Sequence, residues 1–343
     1  MKNTFNAAIL DKIKKPLKII ENIFLPKLKK NQVLIKMKYT AICGSQIFEI
    51  DGKRGVDRFL PHMLGHEGTG VVIKVGNINS KFKKNDKIFL SWIKKNRKKD
   101  HPIEYRNPIN GNKINAGPIT TFSSYTVVSE NRVYKLPKKI DLKKGVLLGC
   151  ALPTGAGMVF NQSRNLKSKS VLVIGSGGVG LSVILALKLK NTKKIFVYDV
   201  NRKKINFLNK FLKNIYFLDK ISELKQKNLS YDYVFECSGK TQNIELGFKL
   251  LKNNGKCVFA SHPEFEKKIS FDPHEFIKGK KIEGSWGGQV NFKKDLKKLT
   301  DLMIKFNFIN KIYFNKEYSL FNINKAIHDF KNGKNIRTLI KLS

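Results

Sequence analysis

Val171-Leu172-Val173-Ile174-Gly175-Ser176-Gly177-Gly178-Val179-Gly180 is the stretch that decides the fold. Its first four residues are an unbroken apolar run, the pattern of a strand buried on both faces of a parallel sheet. The glycines follow at once, and the apolar run 179–189 beyond them has helical length. In that setting each glycine has a separate use. Gly175 makes the tight turn, Gly177 lets a pyrophosphate approach the backbone, and Gly180 lets helix and strand pack closely, while Gly178 and Val179 open the helix toward the phosphates. Asp199 lies 24 residues beyond Gly175, at the end of the next apolar run. A carboxylate there accepts hydrogen bonds from an adenosine ribose and repels a 2′-phosphate, which favours NAD over NADP. Arg202, Lys203 and Lys204 stand close enough to blunt that preference, and Lys204 joins the candidate cofactor contacts.

Outward from this unit the same rhythm continues. Ile195-Phe196-Val197-Tyr198, Tyr233-Val234-Phe235 and Cys257-Val258-Phe259-Ala260 repeat the strand signal with helical stretches between, so the expected class is α/β with a doubly wound sheet. Before about residue 150 the pattern differs. Residues 33–40, 70–75 and 124–128 are short β segments broken by polar turns, which predicts a compact, barrel-like β domain. After about residue 290 the chain reads as helical and ends in a strand at Arg337-Thr338-Leu339-Ile340-Lys341.

A length of 343 residues with 41% hydrophobic content favours two domains with sizeable cores. No apolar run is long enough to span a bilayer and the start lacks a signal-peptide core, so the expected compartment is the cytoplasm with no membrane partner. Four cysteines without a close pair point to a reduced environment. The net charge of +41 raises the question of nucleic acid, but only eight of the 67 basic residues are arginine and the lysines are spread along the whole chain. A nucleic-acid groove would gather arginine and aromatics on one element, so no specific nucleic-acid partner is expected. The densest basic tract, Lys94-Lys95-Asn96-Arg97-Lys98-Lys99, reads as an exposed loop.

Three separate stretches, Cys43-Gly44-Ser45, Gly65-His66-Glu67 and Gly149-Cys150, offer two thiolates and one imidazole, the donor set of a catalytic zinc with one open position. Alone, Cys43 reads as a small buried hydrophobe and His66 as a core or turn histidine. Their combination with Cys150 and the dinucleotide turn is what points to metal-assisted hydride transfer.

With Gly65-His66-Glu67-Gly68-Thr69-Gly70-Val71-Val72, Leu147-Leu148-Gly149-Cys150, Thr154-Gly155 and Gly333-Lys334-Asn335-Ile336-Arg337-Thr338, the chain resembles the zinc-dependent alcohol dehydrogenases of the medium-chain dehydrogenase/reductase superfamily. Within that superfamily it looks nearest to the glutathione-dependent formaldehyde dehydrogenase branch. The resemblance covers nearly the whole chain in order. It implies a GroES-like catalytic domain, 1–150, completed by 291–343, around a Rossmann NAD-binding domain, 151–290. Cys43, His66 and Cys150 would ligate one catalytic zinc per subunit, with Glu67 behind the metal. Ser45 would relay the proton of a zinc-bound alcohol as hydride passes to the nicotinamide of NAD, Thr154 would sit against that ring, and Arg337 would pair with the pyrophosphate. Trp92 would wall the substrate pocket, with core packing as its other reading, and a turn-capping role is the other reading of Ser45. A homodimer or homotetramer acting on a small alcohol or aldehyde is implied.

The chain departs from the family pattern in three places. Where members often carry an Asp that orients the metal-bound histidine, this chain has Gln46, whose neutral amide can still accept a hydrogen bond from the imidazole but makes His66 a less electron-rich ligand. Where some carry a relay histidine, it has Phe48, leaving the proton route beyond Ser45 unassigned. Between Ile93 and Thr121 there is no cysteine, so no structural zinc is expected. The lysines of 94–99 fall in that same segment, near the expected site mouth, and lean the substrate expectation toward an anionic alcohol or aldehyde. Two other readings compete: a metal-free reductase of the same superfamily, which would lack the Cys, His, Cys set, and a non-catalytic nucleotide-sensing or nucleic-acid-binding protein on a dehydrogenase fold.

Overall fold

Short runs of branched and aromatic residues, closed by Gly, Pro or Asn, make the first 150 residues a succession of strands. These are β1 (Thr4–Leu10), β2 (Lys18–Phe24), β3 (Gln32–Ile42), β4 (His62–Met63), β5 (Glu67–Val75), β6 (Lys87–Ser91), β7 (Glu104–Arg106), β8 (Lys113–Asn115), β9 (Tyr125–Ser129) and β10 (Val133–Lys135). Helix α1 (Gly44–Ile50) follows β3, and α2 (Leu142–Gly145) follows β10. The computed structural model describes residues 3–96, 100, 102–226, 229–260 and 262–343, with backbone alone at 225 and 226. The expectation for Arg97, Lys98 and Lys99 lies outside the described residues.

From residue 151 strands and helices alternate: α3 (Ala151–Gln162), β11 (Ser170–Ile174), α4 (Gly178–Leu189), β12 (Lys194–Tyr198), α5 (Arg202–Asn209), β13 (Tyr216–Leu218) and α6 (Ile221–Gln226) come first. Then follow β14 (Tyr231–Glu236), α7 (Thr241–Lys249), β15 (Leu251–Phe259), α8 (Pro273–Ile277), β16 (Lys281–Gly284) and α9 (Phe292–Lys305). The chain closes with α10 (Ile309–Tyr313), β17 (Glu317–Ser319), α11 (Ile323–Lys331) and β18 (Thr338–Lys341).

These elements form two compact units, Met1–Cys150 with Asn307–Ser343, and Ala151–Phe306. The return to the first unit comes at residue 307, later than the 291 expected from sequence. Amphipathic α9 is the cause: it contacts α3 and α4 and so belongs to the second unit.

In the first unit one sheet runs β2-β1-β4-β8-β7 and the other β10-β6-β5-β3-β18-β17, with β9 also pairing β3. The Ala7–Ser123 bridge and the Ala8 N–H to Phe122 carbonyl bond tie the two sheets together at the chain entering β9. Inward residues such as Val33, Ile35, Met37, Val72 and Ile88 are fully buried between strands, and their removal from water stabilises the unit. In the second unit all six strands are parallel, in the order β13-β12-β11-β14-β15-β16. Val171, Leu172, Val173 and Ile174 on β11 are fully buried, as a strand covered on both faces must be. Among the described residues no helix is long and apolar enough to cross a membrane.

Candidate active site

Strand register builds the cluster in the first unit. β3 ends at Ile42 and delivers Cys43 as the N-cap of α1. β5 pairs with β3 so that Gly68 lies opposite Thr40, which sets His66 and Glu67 at the same sheet end. Gly65 makes that entry possible: its φ is +91°, and a Cβ there would fall 2.2 Å from the Thr121 hydroxyl. On the other side of β5, Glu67 pairs with Ser91, whose hydroxyl donates to the Gly149 carbonyl at 2.7 Å. Gly149 passes so close that a Cβ would meet Glu67 Cβ at 2.5 Å, and Cys150 follows directly. β18 pairs Thr338 with Ile42, so Arg337 arrives beside Cys43 from the far end of the chain.

The donor atoms of Cys43, His66, Glu67 and Cys150 all lie within 4.8 Å of one another. The two sulfurs are 3.9 Å apart and both thiols are free. Two thiolates on a tetrahedral zinc, each at about 2.3 Å, stand roughly 3.8 Å apart, so the pair suits that ion without rearrangement. The contact with Cys150 pushes the Cys43 thiol well below the ordinary range, helped by Arg337 and His66 against the effect of burial. Cys150 moves up in turn, through that same contact and through burial. Burial also pushes Glu67 up to about 7, against the pull of Arg337. Burial opposes protonation of His66 most strongly, but Cys43 and Glu67 together outweigh it and the imidazole is raised.

Buried polar atoms are nearly always paired, yet here Ser45 Oγ, His66 Nε2, Glu67 Oε2 and Arg337 Nε have no partner. Two soft sulfur donors, an imidazole nitrogen and a carboxylate among such atoms fit zinc. Arg337 is the residue whose placement sequence reading did not foresee. It was expected on a pyrophosphate; in the structure its guanidinium donates to Glu67 at 2.5 Å, and both side chains are buried. No sequence signal links residues 270 positions apart.

Gln46 also differs from expectation. Its Oε1 accepts the Cys43 N–H at 2.8 Å and its Nε2 meets His66 Nδ1 at 2.5 Å, so the amide offers the imidazole its nitrogen and not its oxygen. Around Gln46 and His66 opens a recess of about 840 Å³, lined also by Glu49, Arg58, His62 and Thr120. Lys94 and Lys95 are not among its lining residues. Lys94 pairs with Asp100 at 3.4 Å, and Lys95 lies over the rings of Phe82 and Tyr134, where burial lowers it to about 8. Asp100 itself lines the recess, so Lys94 lies at its edge as a neutralised ion pair, while Lys95 is held against Phe82 and Tyr134; the expected bank of free cations is not what these two residues form. Trp92, just after β6, is half-buried and is likewise not among the recess residues.

In the second unit Gly175 has φ +88° and donates its N–H to the Tyr198 carbonyl at 2.8 Å. Gly180 approaches it so closely that a Cβ would overlap the Gly175 carbonyl, whereas Gly177 has open space on the side where a Cβ would point. Gly178 and Val179 start α4. Asp199 turns its carboxylate back onto the turn: Oδ2 accepts from Ser176 N–H at 2.7 Å, Ser176 O–H at 2.8 Å and Lys204 Nζ at 2.6 Å, and Oδ1 from Asn201 N–H at 2.9 Å. Lys204 and these hydrogen bonds lower the Asp199 carboxyl despite burial. Thr154 lies on α3 with its buried hydroxyl unpartnered, and neighbouring Gly155 lets α3 press on α4, where a Cβ would sit 2.2 Å from the Val179 carbonyl.

This chain belongs to the zinc-containing alcohol dehydrogenases of the medium-chain dehydrogenase/reductase superfamily, a family of oxidoreductases. Residues 29–138 match the family "Alcohol dehydrogenase GroES-like domain" and residues 178–305 "Zinc-binding dehydrogenase", together more than two-thirds of the chain. It is similar to S-(hydroxymethyl)glutathione dehydrogenase of Saccharomyces cerevisiae, 27% identical over 98% of this chain and 95% of that one. Alcohol dehydrogenase class-3 of Drosophila melanogaster is 28% identical over 98% and 97%. The crystal structure of benzyl alcohol dehydrogenase from Acinetobacter calcoaceticus shares the fold, with a TM-score of 0.85 at 22% identity over 99% of both chains.

Proposed function

We propose that the protein is an NAD-dependent alcohol dehydrogenase with one zinc per chain, exchanging a hydride between an alcohol or aldehyde adduct and the nicotinamide. The observation that carries this reading is the cluster of Cys43, His66, Glu67 and Cys150 donor atoms within 4.8 Å, two residues along the chain from a buried and unpartnered Ser45 hydroxyl. Cys43, His66 and Cys150 would hold the metal. The zinc and NAD, when bound, supply a Lewis acid for the substrate oxygen and an acceptor for the hydride.

The chain's own groups do the rest. Ser45 Oγ has no internal partner and is free to take the substrate hydroxyl's proton and pass it on. Glu67 and Arg337 neutralise one another behind the ligands, so the buried carboxylate sits near the ligands without leaving an unpaired charge. The open face of Gly177 and the N-terminus of α4 favour a pyrophosphate. Asp199 and Lys204 would share the adenosine ribose, and Thr154 would face the nicotinamide. The relatives named for S-(hydroxymethyl)glutathione make a thiol adduct of an aldehyde one substrate class to test.

The test is a panel of primary alcohols, polyols and thiol–aldehyde adducts, followed through NADH absorbance with purified, zinc-loaded protein. Turnover on at least one class with NAD, abolished by chelation and restored by zinc, is expected. Undiminished turnover in metal-free protein would end this reading.

A further inference from the structure

Gln46 ties two of the candidate metal ligands together, and the direction of its two contacts has a chemical consequence. It occupies the third position of α1, is buried, and closes a capping box with Cys43. A backbone N–H can only donate, so the Cys43 N–H at 2.8 Å fixes the amide oxygen on that side. The amide nitrogen is then the atom facing His66 Nδ1 at 2.5 Å, and an amide nitrogen also only donates. Nδ1 must accept. A neutral imidazole that accepts at Nδ1 carries its proton on Nε2, the buried nitrogen left without a partner at the cluster. Ligating histidines have the opposite arrangement: the free nitrogen meets the metal and the other donates to a carboxylate, carbonyl or water.

We propose that Gln46 is a positioning residue that holds His66 in the non-ligating tautomer and so sets a low affinity for the metal, which a carboxylate at this position would raise. Before His66 can ligate, either the ring must exchange its proton between nitrogens and face the amide N–H₂ with its own N–H, or the amide must turn and abandon the Cys43 N–H. Both outcomes break a contact that the structure shows. A Glu side chain has the same length and two acceptors. One oxygen would keep the Cys43 N–H, and the other would receive Nδ1–H, freeing Nε2 for the metal. This inference rests on Cys43, His66 and Cys150 being the ligands.

Two measurements test it. In metal-free protein with labelled histidine, six residues in all, long-range proton–nitrogen correlation spectra in mildly alkaline buffer identify the protonated nitrogen of His66. The expected result is Nε2–H in the unmodified chain and Nδ1–H in Gln46→Glu. Competition with a chromophoric chelator should then show zinc held roughly 10- to 100-fold more tightly by Gln46→Glu, the range over which partners of ligating groups act. Nδ1–H in the unmodified chain, or equal or weaker zinc binding by Gln46→Glu, overturns the proposal. The spectrum of the unmodified chain decides alone if the variant fails to fold. Failure of the unmodified chain to bind any zinc would instead refute the ligand assignment.

Discussion

The candidate metal cluster and the glycine turn are built on opposite principles. At the turn the Asp199 carboxylate is satisfied within one strand–turn–helix–strand unit and the helix after it, taking four hydrogen bonds from Ser176, Asn201 and Lys204, and the face of Gly177 stays open. The cluster draws on residues 43, 66, 67, 150 and 337, and three of its buried polar atoms, with the neighbouring Ser45 hydroxyl, have no partner. A site of the first kind is preorganised by folding and offers a ligand mainly backbone. A site of the second kind would be completed by an ion, and binding energy there would then also be folding energy.

The sharpest way to break this comparison is to remove a ligand. Cys150→Ser is expected to lose the zinc and essentially all alcohol oxidation, while NADH binding to the second unit persists. Metal analysis of the unmodified chain should give about one equivalent. Unchanged metal content in Cys150→Ser, or two tightly held zincs in the parent, would show the cluster to be misassigned. The next effect is smaller. Ser45→Ala should retain zinc and NADH binding but slow turnover by roughly 10²-fold or more, since removing a positioned proton-transfer group has that scale. Near-normal kcat would mean the proton leaves by another route beside Phe48.

How far each region was legible follows from the same contrast. The turn announced itself because its parts are contiguous: the run 171–174, the glycines and the helical run beyond became β11, the φ +88° turn and α4. The cysteines and His66 were found by residue type and order, since the donor set is chemically narrow. The Glu67–Arg337 pair depends on β18 returning beside β3, and β1, β2, β7 and β8 depend on pairing partners that no local pattern specifies. The orientation of the Gln46 amide was beyond reach for a different reason. It is set by one backbone N–H, that of Cys43, in a capping geometry that exists only once α1 is formed.

A third prediction sharpens the account of the turn. Glu236, at the end of β14, accepts from Ser238 N–H at 2.7 Å, Gly239 N–H at 3.2 Å and the Ser238 hydroxyl, and holds the loop against Gly175. Burial pushes its carboxyl up to about 7 from an ordinary value of 4.5, although those hydrogen bonds pull the other way. The folded chain therefore keeps this proton where the unfolded chain has released it. The resulting stability is fully present below about pH 4.5 and is lost as pH rises through about 7. Glu236→Gln should flatten that slope, and the difference between the two proteins on passing from about pH 5 to about pH 8 is on the order of 3 kcal/mol. Denaturant unfolding at the two pH values measures it, and parallel pH dependence in both proteins would show that Glu236 does not titrate with folding.

The smallest expected effect concerns which dinucleotide the turn accepts. Asp199 is a depressed, buried carboxylate whose closest cationic partner is Lys204 at 2.6 Å, so at neutral pH the pair places a negative and a positive group together at the end of β12. While the ion pair stands, the carboxylate repels a 2′-phosphate and the ammonium is occupied. Asp199→Gly removes the repulsion and releases the Lys204 ammonium, with exposed Arg202 and Lys203 nearby to add attraction. The ratio of kcat/KM for NADP to that for NAD should rise roughly tenfold or more, equivalent to about 1.4 kcal/mol. The companion variant Asp199→Gly with Lys204→Ala separates the two causes: if Lys204 meets the phosphate, the added substitution should take back part of the gain. A parent enzyme that already favours NADP would show that Asp199 acts only as an internal brace for Ser176 and Asn201, and would move the turn from a site that selects its ligand to one that merely admits it.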